Sequence, residues 1–466
     1  MSSPDHPTTQ TSDRSLAIII LAAGQGTRLA SELAKVLHPV AGRPMIEYAV
    51  MTASEISPVK PIVVVGHQAE RVRALIGDRA HYVEQRELRG TGHAVMQARE
   101  LAQGRADTVM VTYGDMPLMK ADTLRALRAK HEQAGACMTM LTVHADDSMQ
   151  FGRIVRDSTG KVLKIVEESE ATDDELKIRE LNCGFYCFAE SWLWDHLARL
   201  TPSPTKQEYF LTDLVEMAVK ENAPLATVTL SDPTEARGIN TRVQLAQVDK
   251  IARDHIRERV MLAGVTLVDP GATYIDADVE IGADSVIYPG TYLQGKTKIG
   301  KGCQIGPNAQ IRDSLIGDAC EINASWLEQA TLQDHVEIGP FCHLRPNTFL
   351  ERGVHLGDHA ELKNARLGAD TKMGHFSYVG DAQVGARVNI GAGTITCNYD
   401  GVKKNRTIIE DDAFIGSDTM LVAPVKVGAR AKTGAGAVVT KDVPPDSLAV
   451  GMPARVIRKF RSAQDS

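Results

Sequence analysis

The sequence predicts an α/β protein of two unlike halves, a mostly parallel sheet covered by helices and then a parallel β-helix. Three observations predict it. Continuous apolar runs alternate with helical patterns in the first half, one long helical pattern follows, and in the second half an aliphatic residue before glycine returns at steps of about six.

At 466 residues the chain exceeds one ordinary core, so at least two domains are expected. Its 43% hydrophobic and 24% charged residues are those of a soluble globular protein, and a net charge of -7 speaks against a nucleic-acid footprint. Residues 1–14, "MSSPDHPTTQTSDR", are polar throughout and read as a disordered tail, not a signal peptide. The apolar stretch "LAIIILAAG" that follows falls far short of the roughly 20 residues that span a bilayer. No membrane insertion and a cytoplasmic location are therefore expected.

Between residues 15 and 240, "LAIIILAAG", "KPIVVVGH", "DTVMVTYGD" and "CMTMLTVHA" read as strands, and "MIEYAVMTASEI", "AERVRALIGD" and "ADTLRALRAKHEQAG" as helices. Unbroken Val/Ile runs alternating with helices imply a sheet buried on both faces, which binds its ligands beyond the carboxyl ends of its strands. Residues 241–264, within "NTRVQLAQVDKIARDHIRERVMLAGV", carry apolar residues at helical spacing and a glycine near the end, the pattern of one linker helix.

From 265 to 466 the period changes. Ile281, Ile299, Ile305, Ile316, Ile338, Leu367, Met373, Val379, Val384, Ile390, Ile415 and Val427 each precede glycine. Two places earlier stands a small or β-branched residue, as at Thr297, Cys303, Cys320, Cys342, Ala365, Thr371, Ser377, Ala382, Val388 and Ala413. Residues two apart on a strand share a face, so both positions point into the coil. This is the hexapeptide signature of a β-helix, and its narrow interior suits an aromatic content of 5%. It also accounts for three of the seven cysteines. The closest pair, Cys183 and Cys187, has neither zinc nor dithiol spacing, so packing is expected for all seven.

Two stretches carry chemistry. In "LAAGQGTRLASELAKVLHP", Gly24 and Gly26 end a strand with either a plain tight turn or a phosphate cradle, and Arg28 and Lys35 place two cations near it. The third glycine of a dinucleotide loop and the Gly-Lys-Ser/Thr of a P-loop are both missing. In "TYGDMP", Asp115 ends a strand, where a carboxylate serves either Mg²⁺ or a helix N-cap. In the second half Arg345 and Lys363 stand about one coil apart and should stack as a phosphate clamp. His375 lies off the two inward positions and projects outward with Tyr378, as a turn residue or as a general base. The polar "TITCNYDGVKKNRT" interrupts the repeat and is expected to loop out.

In this order, "LAAGQGTRL" with Lys35, "QRELRGTGHA", "YGD", "FGRIV", "IVEE", "ELNCG" and "GIN" resemble the sugar-nucleotide pyrophosphorylases. Joined to the hexapeptide half, they are similar to the bacterial bifunctional N-acetylglucosamine-1-phosphate uridyltransferase and glucosamine-1-phosphate acetyltransferase family. That resemblance implies a Rossmann-like nucleotidyltransferase domain, the linker helix and a left-handed parallel β-helix. It implies that glucosamine 1-phosphate is acetylated from acetyl-CoA and that the N-acetylglucosamine 1-phosphate formed takes UMP from UTP. Leu21, Ala22, Ala23 and Gly24, with Gln85, Gly90 and Thr91, would then hold the nucleotide, with Tyr113 and Gly114 beside it. Gly152, Glu167 and Asn182 would line the sugar site, Asp115 and Asn240 would bind Mg²⁺, and Arg28 and Lys35 would face the phosphates. His375 would be the acetyl-transfer base, Arg345, Lys363, Tyr378 and Asn389 would hold the sugar phosphate, and Ala392, Asn398, Tyr399, Ser417 and Ala435 the acetyl-CoA. A homotrimer is implied as well. The sequence departs from the family at Gln25, where lysine is frequent, and in "AVGMPARV", which lacks an arginine near coenzyme A that Arg455 could replace.

Overall fold

The computed structural model describes residues 15–149, 151–203 and 207–459. The expected tail, 1–14, lies outside them. Internal contacts divide the chain into two units after Ala252, within the helix Arg242–Leu262.

In the first unit the main sheet runs Leu225–Thr229, Met138–His144, Glu180–Ala189, Thr108–Tyr113, Leu16–Ala22, Ile62–Val65 and His81–Glu84. Neighbours are parallel except Glu180–Ala189, which is antiparallel to both of its own. The first strand shows why its sequence is an unbroken apolar run. Leu16, Ile18, Ile20 and Ala22 enter the core on one face, while Ala17, Ile19, Leu21 and Ala23 enter the core on the other. Alternation sends neighbours to opposite faces, and helices cover both. Met45–Ile56 covers the first of them with Ile46, Val50 and Ala53. Ala121–Ala134 does so with Leu124 and Leu127, and ends on Gly135 in the left-handed conformation that glycine enters most easily. The carboxyl ends Ala22, Val65 and Tyr113 lie side by side, which fixes where a ligand can meet the sheet.

The second unit is a parallel β-helix of the hexapeptide kind, with strands stacked in a 12-stranded and a 17-stranded sheet. Only the closing pair Ser447–Val450 and Arg455–Lys459 is antiparallel among the described residues of this unit's ladders. The aliphatic residues before glycine are buried except Ile281, which is half-buried near the first coils. The small residues two places earlier are buried too, and size is only part of the reason. Thr371 Oγ1 donates to Gly385 O at 2.8 Å and accepts from Val388 N at 3.1 Å, and Cys303 Sγ donates to Gly317 O at 3.2 Å. These side chains satisfy corner backbone that no strand pairs. All seven cysteines are free, six buried and Cys397 half-buried.

Coil length is not uniform. Glu321 pairs with Glu337 sixteen residues on, Thr266 with Val286 twenty on, and Asn389 with Phe414 twenty-five on. The long coil holds the excursion, and the structure narrows it. Ile395–Cys397 and Thr407–Ile409 stay on the ladder, so only residues 398–406 leave the coil. Thr394, Thr396 and Thr407 keep those flanks in place because each is buried in the coil, Thr407 at a small-residue position in line with Ala382 and Thr396 at an aliphatic position in line with Leu421. The loop is tied by the Tyr399–Lys404 bridge and by Asp400, whose carboxylate accepts from Lys403 N, Asn405 and Val402 N. Those bonds hold the Asp400 carboxyl down at about 2.

Candidate active sites

The strand Leu16–Ala22 passes into Ala23 and Gly24, then through the short turns Thr27–Leu29 and Lys35–Leu37. Gly26 takes a φ of 68° and packs against Lys35, where a Cβ would stand 2.6 Å from the lysine's own. That close approach folds Lys35 back toward the strand ends. A cavity of about 300 Å³ results, lined by Leu21, Ala22, Ala23, Gly24, Lys35, Gln85, Gly90, Thr91, Tyr113 and Asp115. Val36, Leu88, Ala94, Glu208 and Phe210 complete the wall, none of them singled out from sequence. Glu208 and Phe210 come from a distant segment with no motif of its own.

Lys35 Nζ lies 2.5 Å from Asp115 Oδ2 and donates to Asn240 Oδ1 at 2.7 Å. Asn240 is brought there by Ile239 N, which donates to Asp115 O at 3.1 Å. Asp115 caps no helix, since the next one begins at Ala121 with Lys120 as its cap. Its Oδ1 is buried without a hydrogen-bond partner. A buried carboxylate oxygen in that state is costly, and a hard cation satisfies it. Asp115 and Asn240 offer the oxygen donors Mg²⁺ prefers, and few are needed because phosphates and water fill the remaining positions. The residues fit the ion.

Gly152, Glu167 and Asn182 stand apart from that cavity's lining and form a second cluster. Gly152 O accepts Asn182 N at 2.9 Å, Asn182 Nδ2 donates to Tyr186 Oη at 2.6 Å, and Glu167 Oε1 accepts Thr212 Oγ1 at 3.0 Å. Burial, Asp115 and Glu167, in that order, push the Tyr113 phenol well above its ordinary value, so Tyr113 lies between the two clusters. Gly114 N donates to Leu21 O at 3.0 Å, and a side chain there would meet Ile46. Arg28 is exposed on the turn Thr27–Leu29 and does not line the cavity. Gln25 is exposed in a shallower neighbouring cleft.

On the β-helix, His343 pairs with Glu361 and Glu361 with Tyr378, and Arg345 N donates to Leu362 O at 2.9 Å. Arg345 and Lys363 thus occupy neighbouring coils on one face. Arg345 pairs with Glu361 at 3.1 Å. Arg345 first and Lys404 second hold the Lys363 ammonium below its ordinary range. A third cation, Lys404 of the excursion, therefore joins the pair, a residue that coil spacing could not find because it sits off the repeat. Three cations held together against the one paired carboxylate of Glu361 favour an anionic ligand. The Tyr378 ring lies over Gly380, where a Cβ would stand 2.2 Å from its hydroxyl.

His375 is exposed, and its Nδ1 lies 2.8 Å from Asp358 Oδ1 on the preceding coil, its register partner. Hydrogen bonds from His375 and then His359 hold the Asp358 carboxyl below the usual range. A carboxylate on Nδ1 fixes the Nδ1–H tautomer and leaves Nε2 with the free lone pair. The same edge continues upward. Gly393 N donates to Phe376 O at 3.0 Å, Asp418 N to Ala392 O at 2.7 Å and Gly436 N to Ser417 O at 2.8 Å. His375, Ala392, Ser417 and Ala435 therefore stand in line on successive coils. Asn398 is buried and donates to Asp381 at 2.5 Å, Tyr399 is exposed on the excursion, and Asn389 is exposed on the sheet that carries His375. Arg455 is exposed on the closing hairpin beside Val450. No helix of the described residues is long and apolar enough to cross a membrane.

Comparison with known proteins matches parts of the two halves to separate family models. Residues 18–212 match the MobA-like NTP transferase domain, and residues 278–313 and 406–441 match the bacterial transferase hexapeptide. Over 432 residues the chain is 48% identical to the bifunctional protein GlmU of Heliobacterium modesticaldum, covering 93% of this chain and 94% of that protein. It is 46% identical over 443 residues to the bifunctional protein GlmU of Trichlorobacter lovleyi, covering 94% and 96%. With the bifunctional protein GlmU of Enterococcus faecalis it shares 44% over 441 residues, covering 95% and 96%.

Proposed function

The chain belongs to the bifunctional GlmU family, and from that premise we propose that the strand-end cavity carries uridylyl transfer and the His375 edge carries acetyl transfer. It is an enzyme with both activities: it acetylates glucosamine 1-phosphate and joins UMP from UTP to N-acetylglucosamine 1-phosphate, releasing pyrophosphate. The sequence also allows a single-activity sugar-1-phosphate nucleotidyltransferase whose β-helix serves only assembly or regulation, and that reading gives way because relatives named bifunctional match across both halves.

In uridylyl transfer a sugar phosphate oxygen attacks the α-phosphorus of UTP and pyrophosphate leaves. The protein's work is alignment and neutralisation of charge. Leu21 to Gly24, with Gln85, Gly90 and Thr91, hold the nucleotide beside Tyr113 and Gly114. Gly152, Glu167 and Asn182 hold the sugar, Lys35 faces the phosphates from the cavity wall, and Arg28 reaches them from the rim. Asp115 and Asn240 would hold Mg²⁺, which when bound adds neutralising charge at the phosphate oxygens.

In acetyl transfer His375 Nε2 takes the proton lost by the glucosamine nitrogen as that nitrogen attacks the thioester carbonyl. The C–S bond then breaks, and the proton on His375 Nε2 passes to the departing sulfur, so coenzyme A leaves as the thiol and the imidazole is neutral again. Arg345 and Lys363, joined by Lys404, clamp the sugar phosphate, with Tyr378 and Asn389 on the sugar. Ala392, Asn398, Tyr399, Ser417 and Ala435 hold acetyl-CoA. A homotrimer of chains divided 15–240, 241–264 and 265–466 completes this reading.

The Asp358–His375 pair, on the β-helix that also holds the Arg345, Lys363 and Lys404 cations together, is the observation that carries it. Two assays on the wild-type chain test it. Thiol release from acetyl-CoA with glucosamine 1-phosphate and pyrophosphate release from UTP with N-acetylglucosamine 1-phosphate are both expected. Pyrophosphate without thiol would remove the acetyl-transfer assignment.

A further inference from the structure

Gln85 is 4% exposed, and its carboxamide nitrogen has two neighbours: Nε2 donates to Gly90 O at 3.0 Å and lies 3.1 Å from His93 Nδ1. Its Oε1 has no such partner and is not among the orphaned buried atoms, so it is the part of the amide that meets the cavity. The orientation is set by the network. With the amide reversed, Oε1 would face the Gly90 carbonyl, acceptor against acceptor. Gly90 cannot give way, since it takes a φ of 93° and an added Cβ would stand 2.6 Å from Tyr209 O. Tyr209 N donates to Arg89 O and Gly92 N to Tyr209 O, both at 2.8 Å, so the turn is pinned on either side.

His93 decides whether that orientation is comfortable. Its Nε2 lies 3.2 Å from Gln97 Nε2, so two amide nitrogens approach one imidazole. A neutral ring has a single acceptor and can satisfy only one of them. Gln97 is half-exposed on its helix and can turn its oxygen to the ring, giving up the bond of its Nε2 to His93 O at 3.1 Å to water, whereas Gln85 is buried and cannot. Nδ1 therefore accepts from Gln85, and Nε2 carries the hydrogen. The ring is kept in place by stacking on Tyr209, centroids 6.3 Å apart, and Tyr209 lies under Arg89 at 5.2 Å.

We propose that His93 is a positioning residue for base selection: by accepting from Gln85 Nε2 it holds Gln85 Oε1 toward the base as an acceptor. An inward acceptor pairs with the ring N–H of uracil and meets an acceptor, N3, in cytosine. This rests on the uridylyl-transfer reading of the cavity and adds to it the residue behind the contact.

The test is pyrophosphate release with UTP and with CTP, with thiol release as the control for folding. His93→Ala raises the KM for UTP with kcat little changed and lowers the UTP-to-CTP ratio of kcat/KM about tenfold, the effect of one neutral hydrogen bond. His93→Asn, whose Oδ1 takes the place of Nδ1, keeps the ratio within about threefold of wild type, while His93→Gln, which mimics Nε2 instead, does not. The His93→Gln chain also serves if His93→Ala fails to fold. An unchanged ratio in His93→Ala and His93→Gln, with thiol release intact, overturns the proposal. No pyrophosphate from UTP in the wild-type chain would instead remove the cavity reading on which it rests.

Discussion

His375 and its partner show what one residue's surroundings decide. The repeat pattern gave the histidine an outward address, but only the structure shows Asp358 on its Nδ1, because their contact depends on coil register and not on sequence spacing. His375→Ala is expected to cut thiol release at least about a hundredfold, the usual size of a general-base contribution. Asp358→Asn keeps an acceptor oxygen and removes the charge, so it should lower kcat about tenfold while the KM for glucosamine 1-phosphate stays near wild type. A raised KM with unchanged kcat would make Asp358 a binding residue instead. Asp115 was legible for a different reason: a carboxylate that ends a buried strand has few structural uses. Its choice between cap and cation site was not, since that depends on Lys35 and Asn240, remote in sequence. Lys404 and Glu208 were invisible because both lie on segments without period.

At the scale of elements, period carried most of the information. Strands buried on both faces and coils with two inward positions per turn leave strong sequence signals, so the sheet, its covering helices and the ladder were readable. The antiparallel direction of Glu180–Ala189 and the true limits of the excursion were not, because pairing partners set both. Replacing residues 398–406 with a short glycine turn should abolish thiol release and leave the melting of the β-helix nearly unchanged, since the flanking strands keep their own interior threonines. A collapse of the β-helix would mean that the excursion is structural. In the first unit, His38 sits at 4% exposure with Nε2 unpartnered, and burial first and Arg242 second lower its pKa from 6.5. The folded state thus binds this proton less readily than the unfolded chain. The stability this neutral ring secures is present above about pH 6.5 and is lost as pH falls from there through the lower folded value. Denaturant midpoints measured between pH 7.5 and 5 should fall for the wild type and fall less for His38→Gln. Equal slopes would place the acid-sensitive group elsewhere.

For the whole molecule, the two activities of the family are assigned to separate clusters. If acetyl transfer needs neighbouring subunits of the proposed trimer, dilution should lower thiol release per chain before it lowers pyrophosphate release. Sedimentation should show three chains dissociating over the same range, and parallel loss of both activities would contradict the arrangement. The period of the ladder fixes only its inward positions, so the sequence carries the expectation of a trimer only through resemblance. The most direct test of the central claim is to measure both activities in His375→Ala and Asp115→Ala. The account predicts a reciprocal result: His375→Ala loses thiol release and keeps near-full pyrophosphate release, and Asp115→Ala does the opposite. Near-full thiol release in His375→Ala, or loss of both activities in either folded variant, would contradict it.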